Sequence, residues 1–283
     1  MRIDLHTHSV VSDGTDTPRE LVADAVAAGL GAVALTDHDT FDGLAEAQAA
    51  GERLGIEVVP GMELSCSRAG QSVHLLAYGA DPTDAALAEE MVRVRSGRSG
   101  RLRPVLAKLA ELGVPVTEEA VLSIVGASPS VGRPHIADAL VAAGHVQDRK
   151  EAFDRFLADG GPAHVIRYTI DIAHGIDLVH GAGGVAVIAH PWGRGREAVL
   201  PPEVLAGLVA EQGLEGFEVD HQDHDESTRA ELRALAEQLG VLATGSSDYH
   251  GTGKVDHGLG VNVTDPQTYA ALLEQMARRA ATR

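Results

Sequence analysis

Short, almost wholly apolar runs recur along this chain, each followed by a polar cluster and then by a helix-like segment, and this alternation limits its folds more than any other feature. Gly31-Ala32-Val33-Ala34-Leu35-Thr36 runs into Asp37-His38-Asp39-Thr40, and Glu57-Val58-Val59-Pro60-Gly61-Met62 runs into Glu63. Further on, Gly184-Val185-Ala186-Val187-Ile188-Ala189 ends in His190-Pro191, and Val241-Leu242-Ala243-Thr244 leads to Gly245-Ser246-Ser247-Asp248-Tyr249-His250. Helical signals lie between them: Thr17-Pro18-Arg19-Glu20 has the form of an N-cap, a first-turn proline and a reciprocal acid, with Gly29 as the stop. Unbroken apolar strands alternating with helices predict a parallel sheet covered on its faces. Polar residues follow so many different strands that a barrel, whose C-terminal strand ends converge on one face, fits better than an open sheet with one or two switch points.

The alternation lapses once. Val73 to Tyr78 reads as a strand, and residues 83–112 then read as one long helix with a basic stretch from Arg93 to Arg103. That stretch fits a solvated helix face, or alternatively the phosphate-facing edge of a lid. Every periodic segment from Val114 to Phe156 is helical, with breaks at Thr117, Gly126, Gly132-Arg133-Pro134 and Gly144. The expected organisation is a barrel built from 1–99 and 166–283, with 100–165 as an all-helical insertion over its functional edge.

Composition narrows the function. A formal charge of -18, from 41 acidic against 23 basic residues, argues against a diffuse basic surface gripping long nucleic acid. A nucleotide or oligonucleotide end held at a metal site remains open, because bound cations would reverse the local potential. Cys66 is the single cysteine, so no intrachain disulfide forms. No signal segment precedes Asp4 and no apolar run approaches the roughly 20 residues needed to cross a bilayer, so a cytoplasmic location is expected. Fourteen histidines with 3% aromatic residues favour chemistry over a protein-binding face.

The chemistry starts at Asp4-Leu5-His6-Thr7-His8, where two imidazoles two apart on an extended backbone point the same way. With them, Asp13, His38, Glu63, His74, His190, Asp248 and His250 form a candidate ligand set, nearly all at strand ends. Singly, each has a plain alternative: His74 as a core histidine, His38 as a helix cap, Asp13 as a turn residue in Ser12-Asp13-Gly14, Glu63 as a surface acid. Together they exceed the needs of one tetrahedral ion and suit two or three divalent ions. Imidazole and carboxylate without thiolate suit Zn²⁺, Mn²⁺ or Fe²⁺. Clustered ions that acidify a shared water and neutralise phosphoryl oxygens serve the hydrolysis of phosphate esters above all.

The motifs Asp4-Leu5-His6-Thr7-His8-Ser9, Ser12-Asp13-Gly14, Thr36-Asp37-His38-Asp39, Pro60-Gly61-Met62-Glu63, Ala189-His190-Pro191 and Ser247-Asp248-Tyr249-His250-Gly251 resemble those of the PHP family, named for polymerase and histidinol phosphatase domains. The likeness spans essentially the whole chain and is strongest to the TrpH-like, nucleotide phosphoesterase branch. It implies a distorted seven-stranded (β/α) barrel. One ion would be held by His6, His8, Glu63 and Asp248, a second by Glu63, His74 and His190, and a third by Asp13, His38 and His250. Many relatives carry histidine where this chain has Asp13, a substitution shared by the TrpH-like branch. Asp39 would orient an imidazole or hold its loop.

Members of that branch remove the 3'-phosphate from nucleoside 3',5'-bisphosphates, and some trim short RNA or its 5' end. By the same resemblance, Arg133 and His135 in Gly132-Arg133-Pro134-His135 would contact substrate phosphate, with His224, His164 and Arg167 as further substrate-side candidates. Around His224 the sequence Asp220-His221-Gln222-Asp223 departs from the tyrosine-containing form expected there. A hydroxide shared by two ions would attack phosphorus, and His190 or His250, where not committed as a ligand, or a metal-bound water would protonate the leaving group. Asp248 counts with the two histidines as catalytic. Other readings are a histidinol-phosphate or cyclic-phosphate hydrolase, an accessory PHP module without catalysis, and an amidohydrolase acting on C–N bonds. Oligomeric state is not legible in the sequence.

Overall fold

The structure is a computed structural model that describes residues 1–282. Its strands are β1 (Ile3–Asp4), β2 (Ala32–Leu35), β3 (Glu57–Arg68), β4 (Gln71–Tyr78), β5 (Ile170–Asp171), β6 (Val185–Ile188), β7 (Gly216–Asp220) and β8 (Leu242–Gly245). Helices α1 (Pro18–Ala27) and α2 (Leu44–Leu54) connect the first three strands. Helices α3 (Ala85–Gly100), α4 (Leu102–Glu111), α5 (Glu118–Val125), α6 (Arg133–Ala142) and α7 (Arg149–Ala152) lie between β4 and β5. Helices α8 (Ile172–Gly181), α9 (Pro202–Gly207), α10 (Glu226–Leu239) and α11 (Pro266–Ala281) complete the chain.

The sheet runs β1-β2-β3-β4-β6-β7-β8, with the short β5 pairing beside β3. It curls until its two ends meet: Thr7 bridges Tyr249 in parallel, and His8 N donates to Tyr249 O at 2.8 Å. This nearly closed seven-stranded barrel is the architecture expected from the alternation of strands and helices.

One expectation needs correction. The sheet is not wholly parallel, because β4 runs antiparallel to both β3 and β6. Arg68 pairs with Gln71, which leaves only Ala69 and Gly70 in the turn, with φ of 49° and 76°. A two-residue turn can join only antiparallel strands, and two left-handed residues match the sheet twist. The reversal sets His74 inside β4 opposite Ser65, so it faces the same rim as the C-terminal ends of the parallel strands.

The predicted cap of α1 is present: Glu20 N donates to Thr17 Oγ1 at 3.2 Å and Thr17 N to Glu20 Oε2 at 2.9 Å. Inside the barrel, Ile3, Leu5, Val59, Leu76, Val187 and Leu242 form a fully packed apolar cluster closed by Tyr269 and Leu272 of α11. Each such side chain contributes about 1.5–3 kcal/mol on burial. Tyr78 joins them because its hydroxyl is satisfied by Leu5 O at 2.8 Å. A second cluster packs α8, α9 and α10 on the outer face.

The helix expected over 83–112 is two helices, α3 and α4, which meet at Arg101. From there α4 to α7 build their own apolar core, with Leu109, Val121, Ile136, Leu140 and Leu157 buried. Ser128 Oγ, in the α5–α6 connection, donates to Val11 O at 2.7 Å, and Arg149 Nη1 donates to Asp13 O at 3.2 Å. These bonds hold the helices against the loop that follows β1. Among the described residues, no helix is long and apolar enough to cross a membrane.

Candidate metal centre

At the end of β1 the alternation of an extended chain turns His6 and His8 to one side, both fully buried, with their Nε2 atoms 3.0 Å apart. Glu63 Oε2 lies 3.2 Å from His6 Nε2 and 3.1 Å from His8 Nε2, and Asp248 Oδ1 lies 3.5 Å from each. The same Oε2 is 3.1 Å from His38 Nδ1, whereas Oε1 is 2.7 Å from His74 Nδ1 and 3.4 Å from His190 Nε2. One carboxylate therefore faces five imidazoles. On the other side of His38, Asp13 Oδ2 stands 3.7 Å from its Nε2, and Asp13 Oδ1 is 3.4 Å from His250 Nε2. All nine residues singled out in the sequence meet in one group, buried except for the partly exposed His74, and His38 faces Glu63 with one nitrogen and Asp13 with the other.

The donor atoms fit cations. His38 Nδ1, His74 Nδ1 and Glu63 Oε1 are buried and close together, yet none makes an aligned hydrogen bond, so their lone pairs are not spent on one another. Among these nine residues, three sets of donor atoms are close enough to share an ion: His8, Asp13, His38 and His250; His6, His8 and Asp248; and His38, Glu63 and His74. The mixture of imidazole and carboxylate is that of divalent first-row metals.

Charge states follow from the packing. Burial alone would raise Glu63, but His38, His74 and His6 hold its carboxyl well below the usual range. Asp13 is likewise held down, against burial, by His38 and His250. Burial pushes His38 and His190 down to about 3, so both are neutral. His8 moves the other way, to about 9, because Asp248 and Glu63 outweigh its burial. Three residues of the rim loops have left-handed backbone without being glycine: Asp39 (φ 57°), His190 (φ 29°) and Asp248 (φ 52°). Strain of this kind persists only where surrounding contacts over-determine the backbone.

Those contacts come from buried carboxylates around the rim. Asp37 accepts from Ser9 N at 2.8 Å and Ser12 Oγ at 2.6 Å, which fixes the loop carrying Asp13. Asp4 accepts from Ser247 N at 3.0 Å and Gly260 N at 2.8 Å, which fixes the loop carrying Asp248 and His250. Asp39 accepts from Ser65 N at 2.7 Å and from Arg98 Nε at 2.7 Å.

Sequence reasoning missed Glu218, His221, His257 and Lys254. Glu218, buried within β7, meets His6 Nδ1 at 3.1 Å and also takes the Ser246 hydroxyl. An acid inside the apolar run Phe217-Glu218-Val219 is a legible signal in retrospect. His221 Nε2 lies 3.2 Å from Asp248 Oδ2, the oxygen that also meets Lys254 Nζ, and His257 completes a further group beside Asp248.

The substrate-side candidates divide into two places. Arg133 Nη1 donates to Asp159 Oδ1 at 2.6 Å and to Leu157 O at 2.9 Å, and His164 Nε2 is 3.6 Å from the same Asp159 oxygen. Arg167 Nη1 donates to Tyr168 O at 2.9 Å. His135, buried at the start of α6, accepts from Gly132 N at Nδ1, 2.9 Å away. His224 lies across the rim: its Nδ1 meets Val219 O at 2.9 Å, its Nε2 is buried without a partner, and its ring is 5.7 Å from that of His221.

A barrel whose rim gathers nine imidazole and carboxylate side chains has the donor set of a metal-dependent hydrolase. The PHP domain model matches residues 4–94. A 3',5'-nucleoside bisphosphate phosphatase from Chromobacterium violaceum is 34% identical over 252 residues, covering 89% of this chain and 88% of that protein. A 5'-3' exoribonuclease from Haemophilus influenzae is 32% identical over 249 residues, covering 88% and 90%. A crystal structure from Bifidobacterium adolescentis, described as a metal-dependent phosphoesterase, superposes with a TM-score of 0.91 at 37% identity over 96% of both chains. The chain belongs to the PHP family, and its activity is that of a metal-dependent phosphoesterase.

Proposed function

We propose that the chain removes phosphate from nucleotides, with the 3'-phosphate of nucleoside 3',5'-bisphosphates as principal target and short or 5'-phosphorylated RNA ends as an extension. The observation that carries this reading is Glu63 facing five imidazoles, in a chain similar over most of its length to a nucleoside bisphosphate phosphatase and an exoribonuclease. Two or three divalent ions, of Mn, Fe or Zn, would be held by His6, His8, Glu63 and Asp248, by Glu63, His74 and His190, and by Asp13, His38 and His250. When bound, such ions supply Lewis acidity to phosphoryl oxygens and lower the pKa of water.

The protein's own groups supply the rest. His135 accepts a backbone proton at Nδ1, so its neutral ring carries hydrogen on Nε2 and donates to a phosphate oxygen. Both contacts of Arg133 run through Nη1, leaving Nε and Nη2 for a second phosphate oxygen. His250 holds its proton at Nδ1 against Asp248 O, 2.8 Å away, so its Nε2 lone pair faces Asp13. His190, with Nε2 3.4 Å from Glu63, would pass a proton to the leaving oxygen only where it is not taken up as a ligand. Residues 100–165 act as a lid over the barrel formed by 1–99 and 166–283, excluding water around the phosphate. The buried free Cys66 suits a reducing compartment such as the cytoplasm.

The test is phosphate release with Mn²⁺ across adenosine 3',5'-bisphosphate, mononucleotides, histidinol phosphate and short 5'-phosphorylated RNA. Highest kcat/KM for the bisphosphate supports the reading, and preference for histidinol phosphate overturns it.

A further inference from the structure

Asp248 turns its two oxygens to different surroundings. Oδ1 faces the metal centre, 3.5 Å from His6 Nε2, from His8 Nε2 and from His250 Nδ1. Oδ2 meets instead His221 Nε2, at 3.2 Å, and the ammonium of Lys254. Burial would raise the Asp248 carboxyl, and Lys254 opposes that more strongly than His6 or His250 does.

His221, His257 and Asp248 stand close enough together to suggest a further place for an ion. The proton positions argue otherwise. Asp223 N donates to His221 Nδ1 at 3.0 Å, so the neutral ring carries its hydrogen on Nε2 and donates it to Asp248. A nitrogen that carries hydrogen has no lone pair to give a metal. His257 holds its proton on Nδ1 against Val255 O at 2.7 Å and keeps a bare, buried Nε2. Burial first, and Lys254 next, pull His257 down to about 4, so this ring is neutral too. The cation among these groups is the chain's own ammonium.

Lys254 is not a loose surface lysine. Its side chain is only 19% exposed, and the loop that carries it is tied on both sides. Thr252 N donates to Thr15 Oγ1 at 2.9 Å, Gln222 Nε2 to Asp256 O at 2.8 Å, and Gly260 N to the buried Asp4 at 2.8 Å. Between these ties Asp256 keeps a left-handed backbone, φ 62°, without being glycine. Such a conformation persists where the surroundings over-determine it. The loop therefore delivers one charge to one oxygen of one ligand.

We propose that Lys254 and His221 are positioning residues that hold Asp248 Oδ2, leaving Oδ1 as the one oxygen of this residue offered to a metal ion, and that the charge of Lys254 sets the affinity of the centre for cations. Without an ion, the ammonium keeps a buried carboxylate paired. With an ion in place, the same charge repels it, so the centre holds cations less tightly than its ligands alone would. Asp248, sharing its charge with Lys254, donates less of it to the ion and leaves more of the ion's charge for phosphoryl oxygens. This rests on the metal-centre reading of the site, whatever the substrate.

The experiment measures the Mn²⁺ affinity of the full chain by competition with a chromophoric chelator, for the wild type, Lys254→Met, Lys254→Gln and Lys254→Arg. Removing a unit charge so close to a divalent ion should tighten binding by about 10- to 100-fold in Lys254→Met and Lys254→Gln. Lys254→Arg, which keeps the charge, should stay close to the wild type. Unchanged or weaker binding by the two neutral variants overturns the proposal, and weaker binding is what a merely structural lysine would give. Lys254→Arg binding as tightly as the neutral variants also overturns it. Lys254→Gln keeps a hydrogen-bond donor for Oδ2 and carries the test should Lys254→Met fold poorly. Thermal melting gives a second readout. Metal-free Lys254→Gln should melt below the wild type, because Asp248 loses its buried counter-charge, and saturating Mn²⁺ should narrow the gap. A gap that Mn²⁺ leaves unchanged or widens overturns the proposal while the metal centre stands. Should the wild type bind no Mn²⁺, the metal-centre reading itself fails, and the proposal with it.

Discussion

Asp39 and Arg98 form a buried ion pair, Oδ2 to Nε at 2.7 Å, that ties the loop after β2 to the last turns of α3. Asp39 also caps Ser65 N and holds its own backbone at φ 57°, a conformation that asparagine tolerates and alanine does not. Asp39→Ala should lose about 3–5 kcal/mol, because it leaves Arg98 buried and unpaired and adds backbone strain. Asp39→Asn should lose less. Equilibrium urea unfolding of both variants checks the order.

Metal uptake should release protons. His6 is raised well above its ordinary range because Glu63, Glu218 and Asp248 outweigh its burial, and His8 is raised to about 9. Both carry protons at pH 7 without metal, and a ligand nitrogen must lose its proton. Calorimetric titration of Mn²⁺ into metal-free protein at pH 7, in two buffers of different ionisation enthalpy, should show protons released, with fewer as pH rises past 9. The sign for stability follows the same shift. The contribution of His8 to metal-free stability is fully present below its unfolded value near 6.5 and is lost as pH rises through about 9.

Glu218 fixes the proton of His6 on Nδ1 by the 3.1 Å contact, so that Nε2 keeps its lone pair for a metal. Burial would raise this carboxyl, but His6 and His221 hold it near 2. Glu218→Gln should weaken metal binding by about 10- to 100-fold while leaving the fold intact. Competition with a chromophoric chelator measures the affinity, and circular dichroism checks the fold.

Much of this was legible in the sequence, because a strand end fixes where a polar side chain goes. His6 and His8, His190 and Asp248 follow apolar runs, and a barrel brings such positions together whatever the loops do. Glu63, expected at the end of its strand, lies instead within β3, which continues to Arg68. His74 was legible as a residue but not in its geometry, since the Ala69-Gly70 turn that reverses β4 is a weaker signal than an Asn-Gly pair. The basic stretch of α3 was the larger loss. Its solvated reading holds for Arg93 and Arg103, which are 53% and 81% exposed at the side chain, and fails for Arg98 and Arg101. Helical periodicity places Arg98 and Arg101 on one face, but the sequence cannot say that this face turns toward Asp39. Glu218, His221 and Lys254 were missed because they act through other side chains rather than by completing a motif.

The central claim is that Glu63 and the imidazoles around it hold the divalent ions on which phosphate hydrolysis depends. The most direct measurement is phosphate release from adenosine 3',5'-bisphosphate by metal-stripped protein during titration with Mn²⁺, for the wild type and for Glu63→Gln. Wild-type activity should start near zero, rise with Mn²⁺ and saturate, while Glu63→Gln stays at least about 1,000-fold lower at the same metal concentration. Full turnover by the metal-stripped wild type, or by Glu63→Gln at saturating Mn²⁺, would contradict it.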